Sequence, residues 1–125
     1  MSENGGNHIE MEDATAKTFE KQLSSARVSI VDFWAPWCAP CTRLSEVMSE
    51  AFKEIAGTYD GKVNCLKVNV DQEQELAQKF GIMSLPTVIG FVGNNPVERF
   101  TGRTKDDFIK WVGRLADIGG LLEEE

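Results

Sequence analysis

The sequence predicts an α/β fold in which a central mixed β-sheet is flanked by helices on both faces. Apolar runs of strand length alternate with segments of helical periodicity, a pattern typical of parallel strand pairing. The run at 28–34 is almost continuously apolar, as expected for a strand that is buried on both faces. The last two strands are joined by a tight connection, which indicates an antiparallel hairpin at one edge of the sheet.

The first half of the chain is predicted to form a helix, a strand and a longer helix. Two apolar side chains four residues apart support a helix over 14–24, and the strand at 28–34 follows it. The longer helix begins after Pro40, and Gly57 is expected to end it. Its apolar residues recur at helical spacing and form one stripe: Leu44, Val47, Met48, Ala51, Phe52 and Ile55.

In the middle of the chain, two further strands are predicted at 63–70 and 86–92. Between them lies a short helix, which Asp71 is expected to cap and Gly81 to stop. The second of these strands begins at a proline, whose missing N–H is tolerated at the start of a strand.

The end of the chain is predicted to form the hairpin and a last helix. A turn over 93–96, longer than the usual two-residue hairpin loop, leads into a fourth strand at 97–101. Thr104 and Asp107 have the spacing of a capping pair, and an amphipathic helix follows them. The predicted order of elements is therefore α-β-α-β-α-β-β-α.

Length and composition restrict the function. A chain of 125 residues predicts a single domain, and a net charge of −7 argues against a protein that tracks nucleic-acid phosphates. No apolar run is long enough to span a membrane, so we expect a soluble protein that does not bind membranes. The first residues lack the basic and apolar parts of a signal peptide, and the cytoplasm is the expected location.

The acidic residues are unevenly distributed along the chain. Seven of the 20 lie in 1–13 and 123–125, where there is no Lys or Arg, and the rest of the chain is formally balanced. We therefore expect a flexible acidic N-terminal extension over 1–8, a folded domain over 9–118 and an acidic C-terminal tail over 119–125.

Cys38 and Cys41 lie between a buried strand and the start of the long helix. Cysteines three apart in a first helical turn project to the same side, so their sulfur atoms can come within disulfide distance. Unpaired N–H groups and the helix dipole favour a thiolate at Cys38, which lowers its pKa and makes it the nucleophile. Cys41, one turn further in, should be more shielded and suited to resolve a mixed disulfide.

Two other interpretations of the cysteine pair are open on the residues alone. A closed zinc site needs four ligands, but the only further Cys and His residues are Cys65 and His8, so we expect no metal. Alternatively, the two cysteines are structural residues of a core helix, although the flanking tryptophans and prolines argue against this.

These motifs resemble those of the thioredoxin family. WAPWCAPC at 34–41 is similar to the active-site segment of that family, and VDFWA at 31–35 to the strand that precedes it. The resemblance continues through VNVD at 68–71, FGIMSLPT at 80–87 and Gly102, and covers roughly 9–118. It implies the thioredoxin fold and the activity of a thiol–disulfide oxidoreductase.

The resemblance also implies roles for Asp32 and Lys67. Burial of Asp32 in its apolar strand should raise its pKa, and the matching aspartate of thioredoxins assists proton transfer to the resolving thiol. We therefore expect Asp32 to accept a proton from Cys41 through water, with Lys67 tuning it. The alternative is that Asp32 marks a solvated strand face. Cys65 is expected to be a buried structural thiol, with a regulatory role as the alternative.

A substrate groove is implied around Pro86, which lies in a segment resembling the cis-proline loop of the family. The residue before this proline would offer its backbone to an extended substrate, as in strand addition. For Trp37 alone, packing in the core is the alternative. The expected substrate-binding residues are Trp37, Ala39, Pro40, Met83, Ser84, Leu85, Pro86 and Gly102.

The sequence departs from the family pattern at Ala39, Thr42 and Glu46, where glycine, a basic residue and proline are usual. These changes affect the expected redox potential and the choice of reductase, but they remove no catalytic group. We expect a monomeric reductant of disulfide-containing proteins that binds no cofactor. Thioredoxin reductase, a flavoprotein using NADPH, would return it to the dithiol.

Two alternatives to a general reductant remain at this point. One is a thioredoxin-like binding or chaperone module whose groove matters more than its thiols. The other is a dedicated electron donor to a single enzyme, which the sequence does not separate from a general reductant.

Overall fold

The computed structural model describes residues 9–59 and 61–121. The predicted extension over 1–8 and the last four residues of the predicted tail lie outside the described residues. In chain order the elements are β1 (Met11–Asp13), α1 (Phe19–Leu23), β2 (Val28–Trp34), α2 (Ala39–Tyr59), β3 (Val63–Asn69), α3 (Gln74–Lys79), β4 (Thr87–Val92), β5 (Asn95–Arg99) and α4 (Lys105–Ile118). No helix in these two ranges has the length and apolar character needed to cross a membrane.

The strands form one mixed sheet in the order β1-β3-β2-β4-β5. β3 pairs in parallel with both β1 and β2, whereas β4 runs antiparallel to β2 and to β5. β2 is therefore central and hydrogen-bonded along both edges. The predicted mixed sheet and the predicted hairpin are confirmed.

Helices cover both faces of this sheet, because alternate residues of β2 enter different clusters. Ile30 packs with residues of α2 and α4, among them Phe52 and Leu115. Phe33 packs on the other side, in a cluster that includes Phe19 of α1. The long apolar run of β2 is thus explained by burial on both faces, as predicted.

The elements near the N-terminus differ from the prediction. β1 was not expected from its sequence, Met-Glu-Asp, and it exists through parallel pairing with residues 65–67 of β3. α1 is shorter than predicted because two N–H groups before it bond outside the segment: Ala14 donates to the Lys67 carbonyl and Ala16 donates to Glu73 Oε1, both at 2.9 Å. α2 continues past Gly57 to Tyr59, whose buried ring packs in the core and favours the extra helical residues.

The hairpin is tighter than predicted, and the expectation of a longer loop was wrong. Val92 pairs with Asn95, so the loop has only two residues and begins at Gly93, whose φ of 61° is readily adopted by glycine. β5 consequently begins at Asn95 rather than at residue 97. Pro96 lies in this edge strand, where its missing N–H is tolerated.

The predicted caps have different outcomes. The Thr104–Asp107 pair is confirmed as a capping box: the Asp107 N–H donates to Thr104 Oγ1 at 3.0 Å, and Asp107 Oδ2 accepts the Thr104 N–H at 3.3 Å. The backbone N–H groups of Arg103 and Thr104, which both donate to the Asp107 carboxylate, lower the pKa of Asp107. Asp71 does not cap α3, because the residue at the N-cap position is Glu73. The Glu73 side chain forms no capping hydrogen bond.

Gly90 provides a test of how closely β4 packs against α4. A Cβ atom at Gly90 would lie 2.8 Å from Leu115 Cδ2, and Leu115 is fully buried in the core, so moving it would disturb its neighbours. We expect Gly90→Ala to lower the free energy of unfolding by about 1–3 kcal/mol through overpacking. The measurement is urea-induced unfolding.

Gly113→Ala is the matched control for this substitution. A Cβ atom at Gly113 in α4 would make only an ordinary contact of 3.7 Å with Tyr59 Oη. Alanine is the better helix former, so this variant should gain about 0.5–1 kcal/mol. Equal stability of the two variants would contradict the close packing at Gly90.

Candidate active site

Cys38 lies at the start of α2, at the end of the loop that leaves β2. The loop turns back on itself, with the Cys38 N–H donating to the Ala35 carbonyl at 3.1 Å. The Cys38 sulfur then accepts the N–H of Cys41 at 3.2 Å, and its carbonyl accepts the N–H of Thr42 at 3.3 Å. Cys38 therefore occupies the capping position of α2, with sulfur in place of the usual side-chain oxygen.

Cys38 and Cys41 are joined by a disulfide bond, with their Cα atoms 5.3 Å apart. Both residues are buried, with 5% of Cys38 and 2% of Cys41 exposed. The structure thus brings the two predicted cysteines together in the oxidised state. When the bond is reduced, the N–H donor and the helix dipole favour negative charge at the Cys38 sulfur.

An apolar shell surrounds the disulfide. Ala35 packs with the two cysteines, and the half-buried side chains around this cluster are Trp34, Val70 and Leu85. Leu85 belongs to the loop before β4, so the loop and the cysteine pair form one packed unit. This packing holds the loop against the start of α2.

Asp32 is buried in the middle of β2, with 1% of the residue exposed. In the sheet it is paired with Lys67 of β3 and Val88 of β4. Burial raises the pKa of Asp32 from 3.8 to about 7, and the positive charge of Lys67 opposes part of that rise. Among the described residues, Asp32 Oδ1 has no hydrogen-bond partner. The alternative of a solvated strand face is therefore wrong.

Lys67 acts on this carboxyl group through its charge. Its Nζ lies over the indole of Trp34, 4.5 Å from the ring centroid, which is a cation–π geometry. Within residues 9–59 and 61–121, Lys67 makes no ion pair with Asp32. The ammonium group is held near the acid by the aromatic ring of β2.

Cys65 is fully buried in β3, opposite Ile30 of β2 and Met11 of β1. Burial raises the pKa of the Cys65 thiol well above its ordinary value, and the nearby Asp32 raises it further. It therefore stays protonated and unreactive at neutral pH, which agrees with the predicted structural thiol.

The loop before β4 contains a cis peptide bond between Leu85 and Pro86, as the family resemblance predicted. Thr87 Oγ1 donates to the Ser84 carbonyl at 2.7 Å and fixes the end of this loop. Ser84 is exposed, and 92% of Met83 is exposed. The loop thus presents a polar and an apolar side chain to solvent.

Trp37 is on the surface, with 70% of the residue exposed, so the alternative of core packing is wrong. Its Nε1–H donates to both carboxylate oxygens of Asp71, at 3.1 and 3.3 Å. Asp71, which was expected to cap a helix, instead orients this indole. Its position directly after β3, at the same end of the parallel strands as Trp37, was the signal for this contact.

A cavity of about 610 Å³ lies beside the cis-proline, between α2 and the segment before α4. Three predicted groove residues line it, namely Pro40, Pro86 and Gly102. The other five predicted groove residues are not among its lining: Trp37, Ala39, Met83, Ser84 and Leu85.

Sequence reasoning missed four lining residues, which are Arg43, Leu44, Val47 and Arg103. Leu44 and Val47 had been assigned to the apolar stripe of the helix, which does bury Met48 and Phe52. Together with Pro40 and Arg43 they follow an i, i+3, i+4, i+7 spacing, which was the available signal for a second, groove-facing surface.

Gly102 allows the chain to pass close to α4 at the wall of this cavity. A Cβ atom there would lie 2.6 Å from Asp107 Cβ and 2.9 Å from Phe100 Cε1. Any larger residue would have to displace one of these neighbours, so glycine is required by close packing at this point.

Within the described ranges, no group of three or more His, Cys, Asp and Glu side chains is arranged to hold a metal ion. His8, one of the two further ligands considered from the sequence, lies outside those ranges.

Comparison with known proteins identifies the family. The family model described as Thioredoxin matches residues 10–114. Thioredoxin of Staphylococcus saprophyticus is 43% identical over 88 residues, which cover 70% of this chain and 80% of that protein. Thioredoxin of Alicyclobacillus acidocaldarius is 36% identical over 104 residues, covering 83% and 93% of the two chains.

Solved structures show the same fold. The oxidised thioredoxin of Plasmodium falciparum matches with a TM-score of 0.70 at 27% identity, over 86% of this chain and 99% of that one. A mutant thioredoxin from Halobacterium salinarum matches with a TM-score of 0.74 at 22% identity, over 90% and 95% of the two chains. The family match, these relatives and the bonded cysteine pair lead to one conclusion: the chain belongs to the thioredoxin family and is a protein thiol–disulfide oxidoreductase.

Proposed function

We propose that this protein works mainly as a reductant of protein disulfides, with Cys38 and Cys41 cycling between a dithiol and a disulfide. The observation that carries the proposal is the capping position of the Cys38 sulfur, which accepts the Cys41 N–H at 3.2 Å. A sulfur in that position is stabilised as a thiolate, the form of cysteine that attacks disulfides.

In the first step, the Cys38 thiolate attacks one sulfur of the substrate disulfide. A Cys38–substrate bond forms, the substrate disulfide breaks, and the other substrate cysteine leaves as a thiolate that takes up a proton from water. Cys38 is assigned the attack because its sulfur at the capping position accepts a helix N–H, whereas Cys41 lies further into α2.

In the second step, Cys41 gives up its proton and attacks Cys38. The mixed disulfide breaks, the Cys38–Cys41 bond forms again, and the substrate leaves with both cysteines reduced. Asp32 is the proposed proton acceptor, acting through water, because a pKa of about 7 suits a general base near neutral pH. Lys67 keeps that pKa from rising further.

The substrate is proposed to bind across the cis-proline loop as an extended segment that adds to the loop backbone beside Leu85. Exposed Trp37 and Met83 would provide apolar contacts to the segment. Pro40, Pro86 and Gly102 would contribute through the cavity that they line. Ala39 and Ser84 are both exposed next to these residues and complete the proposed binding surface.

The oxidised protein must be returned to the dithiol after each cycle. We assign this step to a thioredoxin reductase, a flavoprotein that passes on electrons from NADPH, and we assign the protein itself no bound cofactor. A reductant of disulfides belongs in a reducing compartment, so we place the protein in the cytoplasm. A pure binding module would need neither a thiolate-stabilising helix start nor a buried carboxyl group.

Substitution of each cysteine tests the assignment of the two steps. Cys41→Ser should retain the attack and accumulate a stable mixed disulfide between Cys38 and the substrate, because the resolving thiol is absent. Cys38→Ser should lose disulfide reduction and form no adduct. The measurement is non-reducing electrophoresis with mass spectrometry of the adduct, together with the rate of reduction of a model protein disulfide.

Cys65→Ala serves as the control for these variants, since Cys65 is buried in β3 and has no role in the proposed cycle. It should form no trapped adduct and should reduce the model substrate at the wild-type rate. Wild-type reduction by Cys38→Ser would contradict the assignment of the nucleophile.

Asp32→Asn tests the proposed proton acceptor. The rate of release of the mixed disulfide should fall roughly 10- to 100-fold near neutral pH, because a positioned base is lost. The wild-type release rate should show an inflection near the pKa of about 7, and this inflection should be absent from the variant. Stopped-flow measurement of the release step against pH gives both results.

The same substitution should change stability in a defined direction. The folded pKa of Asp32 lies above its ordinary value of 3.8, so the wild-type protein loses stability as pH rises from about 4 to about 7. Asp32→Asn should therefore be more stable than wild type by roughly 2–4 kcal/mol above that range, with the difference vanishing at low pH. Asp117→Asn, at an exposed position of α4, is the control. It should change neither the release rate of the mixed disulfide nor the pH dependence of stability.

A further inference from the structure

The cavity beside the cis-proline has a positively charged rim. Among the described residues, its lining contains two arginines, Arg43 from α2 and Arg103 from the segment before α4, and no acidic residue. The remaining lining is apolar or backbone, from Pro40, Leu44 and Val47 of α2 and from Pro86 and Gly102. We call this surface the arginine groove.

The two arginines of the groove differ from the other three of the chain. Arg27 and Arg99 donate to backbone carbonyls, of Gly119 at 2.7 Å and Phe80 at 3.0 Å. Arg114 forms an ion pair with Glu98 at 2.9 Å. Among the described residues, neither Arg43 nor Arg103 uses its guanidinium group in a hydrogen bond or an ion pair, and both are exposed.

The fold gives no reason for these two charges. Arg43 is the fifth residue of α2, closer to the helix end whose dipole does not favour a cation. At Arg103 it is the backbone N–H that bonds to Asp107 Oδ2, at 3.1 Å, and any residue except proline could supply that group. Asp107 itself is occupied by the backbone bonds of its capping box. The guanidinium groups are thus available to a bound partner.

On the basis of the proposed function, we propose that Arg43 and Arg103 select substrate segments that carry a carboxylate side chain close to the attacked cysteine. Guanidinium groups pair with carboxylates in a fixed, two-pronged geometry. The apolar lining of the groove would accept an apolar side chain of the same segment. The preferred substrate is therefore a disulfide flanked by an acidic and an apolar residue.

The overall charge of −7 acts in the opposite direction and must be separated in the experiment. Long-range repulsion slows all acidic substrates alike, whereas pairing in the groove depends on two specific cations. At 0.1 M salt, charges more than about 10 Å apart are largely screened, so salt weakens the long-range repulsion more than the contact pairing in the groove. A comparison of variants with equal net charge removes the long-range contribution.

The test uses synthetic peptides with an intramolecular disulfide that differ at one position beside the attacked cysteine, where they carry Glu, Gln or Lys. The reduced wild-type protein should reduce the Glu peptide about 3- to 10-fold faster than the Lys peptide at low salt, since exposed ion pairs are each worth only a modest factor. Arg43→Gln/Arg103→Gln should bring that ratio close to one or below it. Lys21→Gln/Lys62→Gln, which removes two exposed cations elsewhere, should keep it.

Several results would overturn the proposal. Equal wild-type rates for the peptides, a ratio that survives in the double arginine variant, or a ratio that is lost equally in the lysine control would each exclude selection by the arginine groove. A double arginine variant that slows every peptide equally would place the arginines in the chemistry rather than in selection. The neutral Gln peptide tests the proposed function apart from charge selection. Failure of the wild-type protein to reduce it, or any of the peptides, would overturn the proposed function itself.

Discussion

Strand β2 is paired on both edges and covered on both faces, and the features of the active site depend on its position. Burial of β2 places Asp32 in an apolar environment, which raises the pKa of its carboxyl group to about 7. The same strand ends at Trp34, whose indole holds the ammonium group of Lys67, and leads into the loop before α2. A single buried strand therefore fixes the acid and the starting point of the helix that carries the cysteine pair.

Besides the burial of β2, the site depends on how α2 begins. A helix start leaves N–H groups without partners, and here the Cys38 sulfur accepts one of them. The bond that stabilises the start of the helix is thus the bond that favours a thiolate. Packing of Leu85 against the cluster of Ala35, Cys38 and Cys41 holds the cis-proline loop beside the start of α2. Local structure and chemical reactivity share one set of contacts.

The sequence was sufficient to predict the elements whose burial is strong and periodic. β2 was predicted to the residue, and the capping box of α4 was predicted from two side chains. β1 was not predicted because its three residues carry no apolar pattern and are held by backbone bonds to β3, far along the chain. The two-residue hairpin loop was not predicted because Pro96 was assigned to the turn. In the structure Pro96 lies in β5, an edge strand in which proline is tolerated. The partner of Asp71 required knowledge of which strand ends meet.

The net charge of the whole protein differs from the charges found near the active site. The net charge of −7 belongs to the whole chain, but charges more than about 8 Å apart are largely screened at physiological salt, so the field at a site depends mainly on the charges close to it. Around the active site the charges are instead separated by position. Asp71 is bonded to Trp37, whereas Arg43 and Arg103, whose guanidinium groups have no partner among the described residues, line the cavity beside Pro86. In the proposed binding mode, a substrate segment would therefore meet an acidic group beside Trp37 and two cations in the arginine groove.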